Sequence, residues 1–360
     1  MRTERGFSLV ELMVAMTVTL IVSGAIYGLL ASGGNAFRRE PEVADRQQNI
    51  RAALDLVSRD VFGAGAALPT FAQVFTRADP DGACAGGLNG CGVAGTMGPA
   101  AAAQRGGDGE ETDVLEIVST DEQCPDMTLC PPSVAAGTAG VYVAREAVPG
   151  CLRLPGLVLL ADNGGFTVQA ASLPGGAGTA CTGGAAPPNS NLLLSASLPP
   201  WQGALQALGA TPSQFLYRAR IVRYRIAPGT DPGDPTPALW RSETGRYGTD
   251  GVVQAEPGEA GFSLVGSPWE LVARGIEDLQ IEYRGGAAAW QNDPPIATTN
   301  DWTSLVRQVR ITLSARATAP NLQGQTRAGG GAPDAVRGQL QTVVTPRAAF
   351  LELQMGSQIQ

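Results

Sequence analysis

The residues with the most chemistry to explain lie at the start of the chain. Glu11 is the only charged residue in an apolar run from Phe7 to about Ala31, and the six residues before that run, MRTERG, are polar and carry Arg2 and Arg5. A carboxylate at the centre of a membrane helix costs about 2.5–3.5 kcal/mol on insertion scales, and less near an end. Glu11 therefore calls for a counter-charge. If the bond after Gly6 is cut, the new amine of Phe7 is a cation. On a neighbouring subunit it would neutralise Glu11 and set the axial register between two packed helices. The alternative is that Glu11 sits in the headgroup layer as a tolerated polar residue.

Histidine is absent, which removes the commonest general base and the commonest zinc ligand. Lysine is absent too, so the serines and aspartates have no evident base to activate a nucleophile. Carboxylate pairs for glycoside chemistry remain open, but nothing in the spacing positions them. No enzymatic activity and no cofactor are expected. Six cysteines, Cys84, Cys91, Cys124, Cys130, Cys151 and Cys181, form an even set confined to the middle of the chain. That pattern suits disulfides in an oxidising compartment, with reduced, buried thiols as the alternative. Proximity along the chain favours Cys84 with Cys91, Cys124 with Cys130, and Cys151 with Cys181. No C-x-x-C pair occurs, so no metal site is expected of them.

Other charged or aromatic groupings read as structural. The carboxylates of Gly107–Asp113, and Asp231, Asp234 and Asp250, do not match a calcium-loop spacing and suit solvated turns. Arg218, Arg220, Arg223 and Arg225 are the densest basic stretch. On a strand, Arg218 and Arg220 share one face and Arg223 and Arg225 the other, which favours pairing with nearby acids over a phosphate-binding stripe. Trp201, Trp240, Trp269, Trp290 and Trp302 are expected to pack in the core or at edges, with a glycan or partner site as the alternative. The net charge of -8 argues against a polyanion as main partner, so no nucleic acid is expected.

What positions Glu11 is a long helix. About 25 apolar residues at about 1.5 Å each give roughly 37 Å, enough to cross a hydrocarbon core of about 30 Å with some tilt. An ordinary secretory signal would carry its cleavage site after the apolar region, whereas Gly6 lies before it, so the apolar segment is kept. The expected organisation is a leader over 1–6, a transmembrane helix over 7–31, an amphipathic continuation over 32–62, and an exported β-rich domain over 63–360. In the continuation Val43, Ile50, Leu54, Val57 and Val61 recur at helical spacing, and Pro41 marks a point of kinking or local melting.

Beyond residue 63 the chain alternates short apolar runs with Gly- and Pro-rich stretches. Strands are expected over 113–119, 140–144, 151–161, 166–170, 217–226, 276–284 and 306–317, with loops over 63–109, 171–190, 227–237, 285–300 and 320–338. In the last strand Val309, Ile311, Leu313 and Ala315 share a face. The fold class expected is α+β: a long N-terminal transmembrane helix packed on a mainly antiparallel β-sheet domain with long Gly/Pro-rich loops.

The segment Gly6-Phe7-Ser8-Leu9-Val10-Glu11-Leu12-Met13 resembles the type III signal of type IV prepilins and pseudopilins. The resemblance implies that a prepilin peptidase cuts after Gly6 and methylates Phe7, and that Glu11 is required for assembly. Three later stretches, Glu270–Tyr283, Val309–Leu313 and Val343–Arg347, resemble the PilW and GspJ group of minor pilins. That implies a minor pilin that primes assembly and sits near the tip of a type IV pilus. Its implied partners are the major pilin, other minor pilins, the inner-membrane platform protein and a PilY-type tip adhesin. A GspJ-like minor pseudopilin of a type II secretion system is the first alternative. A filament-displayed DNA- or glycan-binding module is the second.

Overall fold

The computed structural model describes residues 8–65, 75, 112–121, 123–124, 126–129, 140–143, 150–161, 166–173, 190–197, 215–229, 236–259, 261–285, 289–291, 306–316 and 337–347. The chain divides into two compact units, Met1–Gln48 with Ala317–Val336, and Asn49–Arg316 with Arg337–Gln360. Helix α1, Leu9–Phe62, begins in the first and ends in the second, and Pro41 lies inside it without interrupting the element.

Within the second unit, the end of α1 buries Ile50, Ala53, Val57 and Val61, whose steps of three and four put them on one face. Leu54, expected in that stripe, is only partly buried, and the smaller Ala53 occupies the centre of the contact. After Phe62 the chain turns at Gly65, whose φ of 72° suits a residue without a Cβ and whose N–H donates to the Val118 carbonyl at 3.3 Å.

A nine-stranded antiparallel sheet follows. Its strands are β1 Leu115–Thr120, β2 Met127–Thr128, β3 Gly140–Val143, β4 Gly156–Ala161, β5 Phe166–Ser172, β6 Ser190–Ser197, β7 Phe215–Pro228, β8 Pro237–Ser242 and β9 Trp269–Arg274. The main path runs β3-β6-β5-β4-β7-β8-β9, with β1 and β2 also paired to β7. The 14-residue β7 is long enough to take four partners: β4 along 215–218, β2 along 215–216, β1 along 219–224 and β8 along 223–228. Gly275, at φ 79°, redirects the chain from β9 into a three-stranded sheet. That sheet is β10 Ile276–Arg284, β11 Gln308–Arg316 and β12 Arg337–Val344, in that order. Residues 112–113 tie the two sheets together, because the Asp113 N–H donates to the Leu279 carbonyl and the Asp113 carboxylate accepts from the Ile281 N–H at 2.7 Å.

The main core lies between α1 and the sheets, and includes Val57, Val61, Ile117, Val222, Leu239, Ile281, Ile311 and Leu313. Each such side chain contributes about 1.5–3 kcal/mol on full burial. The expected apolar face of β11 is there: Val309, Ile311, Leu313 and Ala315 are all buried. Several elements depart from the sequence-based expectation. Strands β2, β6, β8 and β9 form outside the ranges expected for strands, and β12 begins within the stretch expected to be loop. Residues 150–152 form a 3-10 turn, and the strand expected from 151 starts at Gly156.

A second cluster joins Met127, Leu129, Leu152, Leu160, Leu192 and Leu216, and a third joins Ala227, Ala238, Trp240 and Trp269 with Phe262 packed against it. Cys124 sits in the second cluster and is bonded to Cys151, 27 residues away. This replaces two of the expected pairings, Cys124 with Cys130 and Cys151 with Cys181. Antiparallel pairing of β2 and β4 with the same end of β7 brings distant segments together, and spatial proximity overrides proximity along the chain.

Candidate functional site

The head of α1 starts with a reciprocal cap. The Ser8 hydroxyl oxygen accepts from the Val10 N–H at 3.4 Å, and the Glu11 carboxylate accepts from the Ser8 N–H at 3.1 Å. This S-x-x-E arrangement satisfies donors that the first helical turn leaves open, and it puts a negative charge at the positive end of the helix dipole. Behind it, Leu9–Leu30 is long and apolar enough to cross a membrane by length and composition. Its large side chains face outward: Leu9, Leu20, Ile21 and Leu29 are each more than 70% exposed. A surface of that kind has no stable place in water and belongs in lipid or against other apolar helices.

The other end of α1 is held to the sheet by a carboxylate. Asp60, in the last turn, is buried and accepts from the Tyr224 hydroxyl at 2.5 Å and from Arg241 Nε at 2.8 Å. Longer contacts run from Arg241 Nη2 at 3.5 Å and Arg220 Nη2 at 3.4 Å. Glu243 lies beyond, 2.8 Å from Arg220 and 3.0 Å from Arg241. The register explains the convergence. Tyr224 on β7 stands directly opposite Arg241 on β8, so both point to the face that α1 covers. Burial, reinforced by the adjacent negative charge of Asp60, pushes the Tyr224 hydroxyl well above the ordinary tyrosine value. Burial opposes the charge on Arg241, but the hydrogen bond and charge of Asp60 outweigh it and raise that group further. Burial likewise opposes charge on Glu243, and Arg220 and Arg241 together hold it below the usual carboxylate range.

On the opposite face of β7 a second set of charges is buried. Arg223 meets Glu116 at 2.8 Å and Glu256 at 2.7 Å. Arg225 also pairs with Glu256, and Arg246 reaches Glu259 at 3.1 Å. Three arginines face three carboxylates, so the set is neutral as a whole. Loss of one member would leave a buried charge uncompensated, which costs about 3–5 kcal/mol. The four arginines of β7 divide between two faces as the alternation requires. Arg220 reaches Asp60 beside α1, Arg223 and Arg225 meet Glu256 beneath the 243–259 segment, and Arg218 pairs with Asp121 at 2.5 Å. They are ion-paired side chains of the fold.

The remaining expectations fall as follows. Gly6, Phe7, Cys84, Cys91, Cys130, Cys181, Trp201, Trp302, Asp231 and Asp234 lie outside the described residues. Trp240 and Trp269 are core, and Trp290 has the Arg310 guanidinium 4.6 Å from its ring centroid. Asp113 is buried against β10, and Asp250 is exposed and caps the Val252 N–H at 3.0 Å. Among the described residues no group of side chains could hold a metal ion. Sequence reasoning missed Asp60, Tyr224 and Arg241, which nothing in local spacing connects. It also missed the Ser8 cap, which the S-x-x-E spacing could have shown.

Residues 1–27 match the prokaryotic N-terminal methylation motif family. No curated relative matches the chain with significance. Among solved structures, a type IV-like pilin from Thermus thermophilus is similar at 14% identity and a TM-score of 0.21, over 55% of this chain and 87% of that one. A match at that TM-score adds nothing to the fold, which rests on the elements described above. The motif lies at the head of helix α1, and antiparallel sheets follow that helix. The chain thus carries, over residues 1–27, a match to the prokaryotic N-terminal methylation motif, and the same stretch includes most of a helical segment, Leu9–Leu30, long and apolar enough to cross a membrane.

Proposed function

We propose that this chain is a minor pilin of the PilW kind, a subunit that primes assembly of a type IV pilus and takes a place near its tip. The observation that carries the reading is a single carboxylate, Glu11, in the first turn of an outward-facing apolar helix and within the methylation motif. Prepilin peptidase cuts after Gly6 and methylates Phe7. The helix then leaves the bilayer for a bundle of like helices, where Glu11 meets a positive N-terminus. The apolar surface is buried equally well before and after, so the charge pair supplies direction and register.

In this account the β-rich domain is periplasmic before assembly and extracellular after it. The Cys124–Cys151 bond supports an oxidising compartment. The partners proposed are the prepilin peptidase, the major pilin, the other minor pilins, the inner-membrane platform protein and a PilY-type tip adhesin. Glu11→Ala tests the reading in cells that make pili. The variant is expected to insert and to be cleaved, yet to be missing from sheared filaments. Normal incorporation of the variant would overturn the charge-pairing mechanism. Loss of protein secretion with intact pili on deleting the chain would reassign it to a type II secretion pseudopilin.

A further inference from the structure

The cluster around Asp60 can do more than stabilise the domain. We propose that Asp60, Tyr224, Arg241 and Arg220 form a register lock that transmits axial load from α1 to the sheet. For the source of the load the inference rests on the reading of α1 as a filament helix. A subunit held in a filament by its N-terminal helix feels any pull on its exported domain at the place where that helix meets the domain. There the contact includes Ile50, Ala53, Val57 and Val61 on one side, the Asp60 cluster at the end, and a long bond of 3.5 Å from the Asn49 amide to the Arg274 carbonyl near the start.

The apolar face and the Asp60 cluster answer a sliding displacement differently. The apolar side chains are small, and their attraction to the sheet is non-directional, so a shift along the axis exchanges one set of apolar neighbours for another. The carboxylate cannot slide in that way. Asp60 accepts from Tyr224 at 2.5 Å and from Arg241 at 2.8 Å, with Arg220 and a second nitrogen of Arg241 at 3.4 and 3.5 Å. A shift of about 3 Å, the rise of two residues, lengthens even a 2.5 Å contact lying across the axis to about 3.9 Å, out of hydrogen-bond range. Both strong donors also come from neighbouring strands, Tyr224 from β7 and Arg241 from β8, opposite each other in the ladder. Load entering at Asp60 is therefore divided between two strands of the larger sheet. The other ion pair described on α1 does not have this geometry: Arg59 and Asp55, on the same helix, pair with each other at 2.9 Å and are both about 70% exposed.

Single-molecule pulling on the full-length chain tests this, with handles placed in two geometries. In one, force enters at the exposed Arg51 of α1 and leaves at the C-terminus. In the other it runs across the larger sheet, between the exposed Leu193 of β6 and the exposed Glu270 of β9, and bypasses the helix. Tyr224→Phe keeps the ring and removes the shortest bond to Asp60. It is expected to rupture about tenfold faster at constant load in the helix-loaded geometry, the rate equivalent of one hydrogen bond to a charged group. The sheet-loaded geometry should be unchanged. Asp60→Asn is expected to have the larger effect in the same direction, and Tyr224→Phe carries the test alone if Asp60→Asn does not fold. Equal acceleration in both geometries, or none in either, overturns the lock. Because the experiment uses isolated molecules, its failure leaves filament membership untouched.

Discussion

Tyr224 on β7 donates its hydroxyl proton to Asp60 on α1 across 164 residues of chain, at 2.5 Å and between two buried residues. The bond joins the element that carries the processing motif to the strand on which four others pair. Its strength depends on Arg241, which both approaches the same carboxylate and donates to the tyrosine oxygen at 3.1 Å. The three groups therefore act as a unit.

Removing members of that unit should give unequal and non-additive losses. Tyr224→Phe is expected to lower unfolding free energy by about 1–2 kcal/mol. Asp60→Ala leaves Arg241 buried without its main partner and is expected to cost about 3–5 kcal/mol. Urea unfolding of the two single variants and the double variant measures the coupling. The double variant should lose less than the sum of the singles, and strict additivity would contradict a shared network.

The same cluster gives the stability profile two sloping ends. Glu243 is held below its ordinary value of 4.5 by Arg220 and Arg241. Its contribution is therefore present above that value and is lost as pH falls through the lower folded-state value. Tyr224 is raised above 10.0, chiefly by burial. Its contribution is fully present below 10.0 and is lost as pH rises, because the unfolded tyrosine ionises while the folded one does not. Unfolding midpoints measured against pH should thus fall at both ends. Glu243→Gln is expected to flatten the acid limb alone, and Tyr224→Phe the alkaline limb alone.

The Cys124–Cys151 bond closes a segment of 27 residues that includes β2 and β3 and ends just before β4. Replacing both residues with serine should cost about 2–4 kcal/mol, mostly through greater freedom of the unfolded chain. Non-reducing peptide mapping should recover these two residues in one linked peptide. Recovery of Cys124 linked to Cys130 would contradict the pairing seen in the structure.

Buried and exposed ion pairs should separate sharply under mutation. Glu256→Ala removes the carboxylate shared by Arg223 and Arg225 and is expected to cost about 3–5 kcal/mol. Asp55→Asn breaks an exposed pair within one helix and should change stability by less than about 0.5 kcal/mol. Thermal or urea unfolding of the two variants side by side is the check.

The parts of this protein that can be read from sequence are those set by local periodicity. The alternation of Val309, Ile311, Leu313 and Ala315 gave β11 its buried face, and the steps among Ile50, Val57 and Val61 gave α1 its own. Strands β6 and β12 escaped notice because Ser190, Asn191, Gln339 and Gln341 interrupt the apolar pattern, and their ladder partners on β5 and β11 supply the order that propensity does not. At the site, Glu11 was legible because one charge in an apolar run has few explanations. Asp60 was not, because an aspartate between Arg59 and Val61 reads as one more solvated helix residue. Only the opposition of Tyr224 and Arg241 across β7 and β8 gives it partners, and that opposition is fixed by strand register over long sequence separation.

The account turns on whether the N-terminus is processed as the motif requires, and the mass of the N-terminal peptide from the protein isolated in its native host tests this most directly. Cleavage after Gly6 and methylation of the new terminus predict a peptide that begins at Phe7 and carries one added methyl group. A mature protein that retains Met1 and the MRTERG leader would contradict the central claim, since no free amine would then stand beside Glu11.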